Sequence, residues 1–465
     1  MNTGKEVAAI GGVRELLRIA FPLMLSASSQ SVLYVIDRMF LTWYSTAALA
    51  AALPAGVCFW LVVSIPYGIS NYVKTFVSQY TGAQRKDRVA SAVWQGVYFS
   101  LCVGLVVPVI APFAGTIFGS LMRDTEVATM TADYFAILCL AGAPFLVDLT
   151  LSAFFSGRGQ TRTVFCVDLI GVVANILLDY VLIFGVGPIP EMGIQGAAAA
   201  TALTYVIKLG LYLYLVGQVE DYRGIFAANR AIDIELFRRM VRFGLPDGMA
   251  SFLELVCFST FIFLMSTLGT ASLAATNLAF NLSTLAFLPL LGIETAVIIL
   301  VGQRIGENNH DTAAQTTWNA AGLATVYMAI PVVFLVAIPD VLSEPYFWFS
   351  DPVESAEIRA TTAMLLRFVA AYTFFDALAV VFGGAIRGAG DTRFAMGFTF
   401  LAGLLVMVLP TYVGVTYLGN GLIAGWFAIT AYVVVLGSGF LLRFVSGHWR
   451  NINVIEPTSK GVAVV

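Results

Sequence analysis

The sequence reads Arg158-Gly-Gln-Thr-Arg162, and a mostly apolar run then extends to Gly185. This run is long enough to cross a lipid bilayer, which takes about 20 residues of helix. Asp168, Asn175 and Asp179 lie inside it. Ionisable side chains at membrane depth are costly to bury and are functional candidates by default. Because Asn175 and Asp179 are four residues apart, they share one face of the predicted helix, which suggests a buried polar site.

The composition of the whole chain is that of a membrane protein. Its 465 residues are 59% hydrophobic and only 11% charged, with a mean hydropathy of +0.86. Soluble domains carry roughly 25% charged residues, so the composition excludes a soluble globular fold. The formal net charge of −3 gives no basis for nucleic-acid binding. We expect membrane lipid, and no nucleic acid, around this chain.

Twelve apolar runs divide the sequence, and each is long enough to cross a bilayer as a helix. Strands of a membrane barrel would be about 10 residues long with alternating polarity, whereas these runs are longer and apolar throughout. The sequence therefore predicts an all-α polytopic membrane protein with twelve transmembrane helices. The runs are Leu16–Trp43, Ala48–Ser78, Val89–Ile117, Ala128–Phe155, Thr163–Phe184, Ala197–Val219, Phe237–Leu268, Leu273–Val301, Thr312–Ile338, Ile358–Phe382, Phe394–Leu418 and Leu422–Phe444.

Lysine and arginine are concentrated on one side of these twelve runs. Most of them occupy the N-terminus, the connections after the even-numbered runs and the C-terminus, for example Arg85, Lys86 and Arg88 after the second run. The opposite connections are mainly acidic or neutral, for example around Asp351 and Glu354. Since cytoplasmic loops of membrane proteins are enriched in basic residues, we expect both termini in the cytoplasm.

The chain repeats itself in two halves. Val77-Ser-Gln79-Tyr-Thr-Gly82 is matched by Val301-Gly-Gln303-Arg-Ile-Gly306, and Pro22 is matched by Pro246 at the same offset. Six crossings in each half make the repeat parallel, related by an axis along the membrane normal. We therefore predict an N-terminal six-helix lobe over residues 1–219, a cytoplasmic linker over 220–235 and a C-terminal six-helix lobe over 236–465. The paired prolines are candidates for a bend that moves.

The sequence lacks the motifs of several functional classes. The five cysteines fall inside apolar runs without CxxC spacing, and the two histidines lie in polar segments. We therefore expect no disulfide, no histidine metal site and no cofactor. No phosphate-binding GxxxxGK[ST] loop occurs, and no HExxH pair is present for a membrane enzyme. The sequence predicts a protein that is not an enzyme.

Four acidic residues lie near the middle of predicted spans: Asp37, Asp179, Glu254 and Asp376. Two carboxylates in one low-dielectric site cannot both stay ionised without a proton or another cation. Such a site is what a cation-coupled carrier needs, although polar residues also fasten transmembrane helices to one another. Asp148, Asp168 and Lys208 lie nearer the helix ends, where long side chains reach water, so we assign them structural roles.

The acidic residues of the second half have an aromatic neighbour. Tyr372 precedes Asp376 by one helical turn. An aromatic face beside a carboxylate suits an organic cation, because the ring attracts positive charge. Phenylalanine alone occurs 35 times, so an aromatic neighbour is common in this chain. The prediction of a cation site therefore rests on the carboxylates.

Taken together, these features resemble the multidrug and toxic compound extrusion (MATE) family, and within it the bacterial NorM-type branch. The resemblance rests on Gly157-Arg-Gly-Gln-Thr-Arg162 followed by Asn175–Gly185, on its echo Arg387-Gly-Ala-Gly-Asp-Thr392, and on Asp37-Arg-Met-Phe within twelve spans. It implies a V-shaped pair of six-helix lobes that alternates between inward-open and outward-open states. It also implies export of small organic cations and drugs in exchange for Na⁺ or H⁺, across the plasma membrane of a bacterium (the inner membrane if Gram-negative).

The same resemblance implies which residues form the sites. A cation-coupling site in the N-terminal lobe would use Asp37, Asn175, Asp179 and Thr201. A cation or substrate site in the C-terminal lobe would use Glu254 and Asp376, surrounded by Tyr372, Phe287 and Asn281. Either carboxylate set could hold Na⁺, and the resemblance leaves open which lobe couples. We expect a monomer.

Other functions fit the twelve-span plan less well. A flippase for lipid-linked precursors shares the two-half arrangement, but its cavity needs cations for the pyrophosphate. The charges near mid-span are almost all acidic here, with Arg367 the exception. A channel stays possible, although two repeated halves with scattered carboxylates suit alternating access better.

Overall fold

The computed structural model describes residues 11–347, 352–417, 419 and 421–456, and this part of the chain is helical without any strand. Eleven of its helices are long and apolar enough to cross a membrane, and a bent pair of helices makes a twelfth crossing. The prediction of an all-α polytopic membrane protein is confirmed. The crossings are α1 (Val13–Tyr44), α2 (Thr46–Gly82), α3 (Lys86–Leu121), α4 (Thr125–Leu140 with Gly142–Gly157), α5 (Thr161–Phe184), α6 (Gly193–Gln218), α7 (Ile234–Ser266), α8 (Thr270–Gly306), α9 (His310–Ala337), α10 (Pro352–Ala389), α11 (Thr392–Tyr417) and α12 (Gly421–Val445).

The outer surfaces of these helices are apolar. Large side chains such as Leu213, Phe263 and Leu401 are more than half exposed. In water such exposure would be unfavourable, whereas in lipid it carries no penalty because the acyl chains are equally apolar. The longest helices are longer than the hydrocarbon core of a membrane is thick. The 37 residues of α2 span about 55 Å at 1.5 Å per residue, against a hydrocarbon core of about 30 Å.

Three of the predicted spans are irregular. In α3, a 3-10 helix over Val107–Phe113 separates two α-helical segments. α4 is bent by 49° between its two segments. The bend lies at Ala141, next to Gly142 and three residues before Pro144, which has no backbone N–H to continue the helical ladder. In α11, the segment Gly403–Val408 is a π-helix that precedes Pro410. The sequence predicted a single continuous span for each, and the bend in α4 is the largest difference.

The chain divides into two compact units. The first unit combines Leu25–Met249 with residues 454–456, and the second combines residues 11–24 with Ala250–Asn453. The boundary inside α1 falls two residues after Pro22, and the boundary inside α7 falls three residues after Pro246. The N-terminal segment thus belongs with the second half of the sequence, and the C-terminal segment belongs with the first half.

Close helix packing in the first unit depends on small residues. A Cβ atom added at Gly104, at the end of the first segment of α3, would lie 2.4 Å from the Cα of Ala143 in α4. That contact is with backbone and cannot be relieved by rotating a side chain. At Gly210, in the middle of α6, an added Cβ would meet nothing within 4 Å.

We therefore expect opposite effects from two glycine-to-alanine changes. Gly104→Ala should destabilise the protein by about 1–3 kcal/mol, the usual cost of overpacking. Gly210→Ala should leave stability unchanged or raise it by up to ~1 kcal/mol, because alanine is the better helix former. Thermal unfolding in detergent, followed by loss of the monodisperse chromatographic peak, measures both. Equal unfolding temperatures for the two variants would contradict this packing.

The last described residues dock on the first unit. Val454 is fully buried, and Glu456 accepts a hydrogen bond from the hydroxyl of Tyr80 at 2.7 Å. Arg85 and Arg88 form ion pairs with the same carboxylate at 2.8 and 2.7 Å. In the second unit, Glu15 of the N-terminal segment pairs with Arg304, the residue that corresponds to Tyr80 in the repeat. In each unit, a glutamate of a terminal segment thus binds the residue at the same position of the repeat.

The electrostatics of this docking follow from its basic neighbours. Burial by itself would raise the pKa of Glu456, but the hydrogen bond from Tyr80 and the charges of Arg88 and Arg85 outweigh it and hold the pKa below its ordinary value of 4.5. A carboxylate with a lowered pKa contributes stability above the ordinary value. That contribution is lost as the pH falls through the lowered pKa.

We expect Glu456→Gln to release the C-terminal segment. The loss of hydrogen bonds to charged groups should cost about 2 kcal/mol and expose the segment to proteases. The wild type should show the same exposure only when the pH falls below about 4.5. The matched control is Glu235→Gln, whose side chain is 80% exposed beside Arg239, and it should behave like the wild type. Protection of the segment in Glu456→Gln at neutral pH would disprove the docking.

Candidate functional site

The central polar site of the first unit is built on α5. Asn175 and Asp179 occupy one face of this helix, and each is only 1% exposed. In the orientation of the Asn175 carboxamide that satisfies both neighbours, its nitrogen donates to Oδ2 of Asp179 at 3.2 Å, and its oxygen accepts from the backbone N–H of Thr201 at 3.2 Å. Thr201 thus takes part through its backbone, while its hydroxyl donates to Ala197 in its own helix, α6.

Asp37 completes this site from α1. It is half-buried, and its carboxyl group is in hydrogen-bond contact with that of Asp179. Ionised carboxylates can only accept hydrogen bonds, so a hydrogen bond between two carboxyl groups needs a proton on one of them. One buried oxygen of each residue, Oδ1, has no hydrogen-bond partner within the described structure. The structure brings together all four residues that the sequence named for this half.

Two tyrosines beside this site were not found from the sequence. Tyr134 in α4 interacts electrostatically with both Asp37 and Asp179. Tyr34 lies on α1 one turn before Asp37 and interacts with its carboxylate. Tyr134 also packs against two apolar clusters of the first unit, one around Phe40 and Ile183 and the other around Phe145 and Leu138. The spacing of Tyr34 from Asp37 was the one available signal in the sequence.

A second polar cluster in the first unit, here called the Lys208 cluster, consists of Lys208, Asp148, Asp168 and Ser26. The ammonium of Lys208 lies 3.0 Å from Asp148 and 3.0 Å from Asp168, and Ser26 donates to Asp168. Asp148 is only 4% exposed. From their positions in the sequence, these charges were expected to reach water near the helix ends. They instead pair with one another, because α1, α4, α5 and α6 converge there.

The acidic residues of the second unit also meet. Glu254 in α7 and Asp376 in α10 interact electrostatically, and the hydroxyl of Tyr432 in α12 contacts Glu254. Glu254 is exposed and Asp376 is half-buried. A third carboxylate, Glu294 in α8, is paired with Arg387 at 3.0 Å. Arg387 also interacts electrostatically with Glu254, and Glu254 and Asp376 are here called the acidic pair of this unit.

The three predicted neighbours of this pair differ in their placement. Tyr372 is buried, interacts with Asp376 and is in hydrogen-bond contact with Ser283 of α8. Phe287 follows Ser283 by four residues and therefore shares its face of α8. Asn281 precedes Ser283 by two residues and points elsewhere, and its amide donates to the carbonyl of Asn277 in its own helix at 2.9 Å. The helix period thus places Phe287, but not Asn281, on the face of α8 that carries Ser283.

A known protein family matches each half of the repeated sequence separately. The family model described as MatE matches the chain twice, over residues 22–181 and 246–413. The two matches begin at the paired prolines, Pro22 and Pro246, and together they cover more than half of the chain. The chain belongs to the MATE family of transporters. The resemblance seen in the sequence is confirmed.

Curated relatives of this MATE protein extend over nearly its whole length. A probable multidrug resistance protein NorM of Thermotoga maritima is 25% identical over 450 residues, which are 95% of this chain and 94% of that protein. A protein of the same description from Bacillus cereus is 25% identical over 409 residues, 87% of this chain and 88% of that protein. The NorM-type branch named from the sequence is therefore supported over both halves.

Solved structures share the fold of this MATE protein. An outward-facing multidrug resistance MATE family transporter has a TM-score of 0.87 at 20% identity and covers 97% of this chain and 100% of that one. A MOP superfamily transporter from Pyrococcus furiosus gives the same TM-score, identity and coverage. At this identity the likeness concerns the fold alone.

Proposed function

We propose that this MATE protein is a secondary active exporter, which expels small organic compounds, mostly cations, in exchange for an incoming cation by alternating access. The observation that carries the proposal is the contact between the carboxyl groups of Asp37 and Asp179. This pair can hold a proton in a buried site, and loss of that proton would leave two like charges in contact. The names of the curated relatives, which are probable multidrug resistance proteins, support drugs as substrates.

In this proposal the two acidic pairs have different tasks. Asp37 and Asp179 bind the coupling ion, with Asn175 and the backbone of Thr201 fixing Asp179. Glu254 and Asp376, with Tyr372 beside them, bind the cationic substrate. We favour H⁺ over Na⁺ as the coupling ion, because a hydrogen bond between two carboxyl groups needs a proton.

The energy available is sufficient for export. One charge that moves down a potential of 100 mV supplies about 2.3 kcal/mol. This corresponds to a concentration gradient of roughly fifty-fold, since each 1.4 kcal/mol is a factor of ten. Exchange of one proton for one monovalent cation would be electroneutral, and the pH difference alone would then drive it.

The proposed setting is the plasma membrane of a bacterium, with both termini in the cytoplasm and the protein acting as a monomer. The alternative function is a flippase for lipid-linked precursors, which would offer cations to a pyrophosphate. Lys208 and Arg387 are engaged with carboxylates instead. This favours a cationic substrate over an anionic one.

Transport by purified protein in proteoliposomes tests the proposal. We expect ethidium efflux when a pH difference is imposed, and none when only a Na⁺ difference is imposed. Efflux that responds to Na⁺ alone would replace H⁺ by Na⁺ as the coupling ion. Movement of a fluorescent lipid-linked diphosphate, without movement of ethidium under either gradient, would favour the flippase.

A further inference from the structure

The polar residues of α5 and α6 form one continuous seam inside the first unit. Asp168, Asn175 and Asp179 are spaced by seven and four residues and share a face of α5, while Thr201, Tyr205 and Lys208 are spaced by four and three and share a face of α6. Asn175 bonds to Thr201 at one end of the seam, and Asp168 bonds to Lys208 at the other. The two ends are about 10 Å apart, which is seven residues of helix.

The Lys208 cluster lies at the end of the seam nearer to the loop with Arg158 and Arg162. Gly171 makes room for it, since a Cβ there would lie 2.8 Å from Cδ of Lys208. One ammonium between two carboxylates leaves a net charge of −1 in a buried place. Oδ1 of Asp148, a residue that is only 4% exposed, has no hydrogen-bond partner within the described structure. An unsatisfied buried carboxylate oxygen in a cluster of net negative charge is a place for a proton.

Tyr205 stands between the two polar sites. It lies one turn from Thr201 and one turn from Lys208 on the same face of α6. Its side chain interacts electrostatically with Asp37 at one site and with Asp148 and Lys208 at the other. Its ring packs on Phe145, with ring centroids 4.9 Å apart, and Tyr134 joins the same apolar cluster. A phenol hydroxyl can accept one proton while it donates another, so it can pass a proton without becoming charged.

We propose that the Lys208 cluster is a second proton site of the first unit, and that Tyr205 passes protons between it and the pair of Asp37 and Asp179. The inference rests on the proposed function, in which that pair binds the coupling proton. In the step, the pair gives up one proton toward the hydroxyl of Tyr205, and the hydroxyl proton moves on, through water where needed, to Asp148. The cluster then becomes neutral, and the pair regains its charge.

The groups that face Lys208 come from each helix packed around it. They are Asp148 from α4, Asp168 from α5, Ser26 from α1 through Asp168, and Tyr205 and Tyr212 from α6 itself. The net negative charge of the cluster draws a proton from the pair. Release from the cluster toward the arginine-bearing loops then gives the proton an exit on the side that we expect to be cytoplasmic.

The test uses Tyr205→Phe in the full-length protein in proteoliposomes, with two transport readouts. The first is ethidium efflux driven by an imposed pH difference, and the second is exchange of ethidium at equal pH, which needs no proton release. We expect the driven rate to fall at least ten-fold, in line with the loss of a proton-transfer group, and the exchange rate to stay as in the wild type. The control is Tyr214→Phe on the same helix, 65% exposed, which should change neither rate.

A second variant guards against a purely structural effect. Asp148→Asn keeps the shape and an oxygen for Lys208 but cannot take up a proton, and it should reproduce the loss of driven efflux with intact exchange. Wild-type driven rates in both variants would overturn the proposal, and so would equal losses of driven efflux and exchange. Asp37→Asn separates the two levels of inference. If Asp37→Asn keeps full driven efflux, the pair of Asp37 and Asp179 does not couple transport, and the proposed function is wrong. If Asp37→Asn loses driven efflux while Tyr205→Phe and Asp148→Asn keep it, only the proton path through Tyr205 is wrong.

Discussion

Asp37→Asn should abolish efflux driven by a pH difference while the protein still folds and binds ethidium. The amide has nearly the shape of a carboxyl group, and its NH2 can donate to Asp179, so the contact survives. It cannot release or regain a proton, and the coupled cycle stops. We expect the driven rate in proteoliposomes to fall by roughly 100-fold or more, equivalent to about 2.7 kcal/mol or more.

The matched control for this change is Asp133→Asn in α4. Asp133 accepts a hydrogen bond from Gln195 at 2.9 Å, and it lies outside the contacts of Asp37 and Asp179 described above. Replacing Asp133 should leave the rate of efflux driven by a pH difference nearly unchanged. A normally expressed Asp37→Asn protein that pumps ethidium at the wild-type rate would refute coupling at this pair.

The second large effect is expected at the acidic pair of the second unit. Glu254→Gln and Asp376→Asn should each weaken the binding of ethidium by about 5- to 30-fold, because each removes a charge worth ~1–2 kcal/mol to a nearby cation at intermediate dielectric. The measurement is the dissociation constant of the purified protein from fluorescence titration. At saturating ethidium, the efflux rate driven by a pH difference should change much less.

A neutral aromatic compound of similar size provides the control within each variant. Its affinity should stay unchanged if the carboxylates act through their charge, whereas a general distortion of the site would weaken both compounds. Asp311→Asn, at an aspartate that is 90% exposed beside Arg450, serves as the surface control. Unchanged ethidium affinity in both acidic variants would remove this pair from substrate binding.

In each unit a cation lies among acidic residues. Lys208 bridges Asp148 and Asp168 in the first unit, and Arg387 pairs with Glu294 in the second. In both units a separate acidic pair lies nearby, which is Asp37 with Asp179 in one and Glu254 with Asp376 in the other. Breaking such a buried ion pair by removing the cation would leave uncompensated carboxylates, which is strongly destabilising.

The membrane helices and the repeat could be predicted from the sequence because both depend only on the order of residues along the chain. A span must be continuous and apolar, and a repeated half keeps its spacing, so Pro22 and Pro246 could be matched without coordinates. The helix period also placed Asn175 and Asp179 on one face. It would likewise have joined Thr201, Tyr205 and Lys208, whose spacing of four and three residues is equally regular.

The sequence was less informative where several helices meet. Asp148 and Lys208 are 60 residues apart, and nothing in their local pattern indicates that α4 and α6 bring them within 3.0 Å. Each was therefore assigned to a helix end in contact with water. The bend of α4 had a local signal in Gly142 and Pro144, but the same kinds of residues occur in spans that stay continuous, such as α2 with Pro54 and Pro66.

By itself, the sequence determined the all-α membrane fold, the two parallel halves and the acidic residues that need explanation, since hydropathy and periodicity are properties of one chain segment at a time. Only the tertiary structure decided which acids contact one another and which are paired with a cation. That difference depends on distances of about 3 Å between side chains of separate helices, because a hydrogen bond or ion pair forms only at such range. The charge of Lys208 is in the sequence, but its two partners come from the packing of α4, α5 and α6.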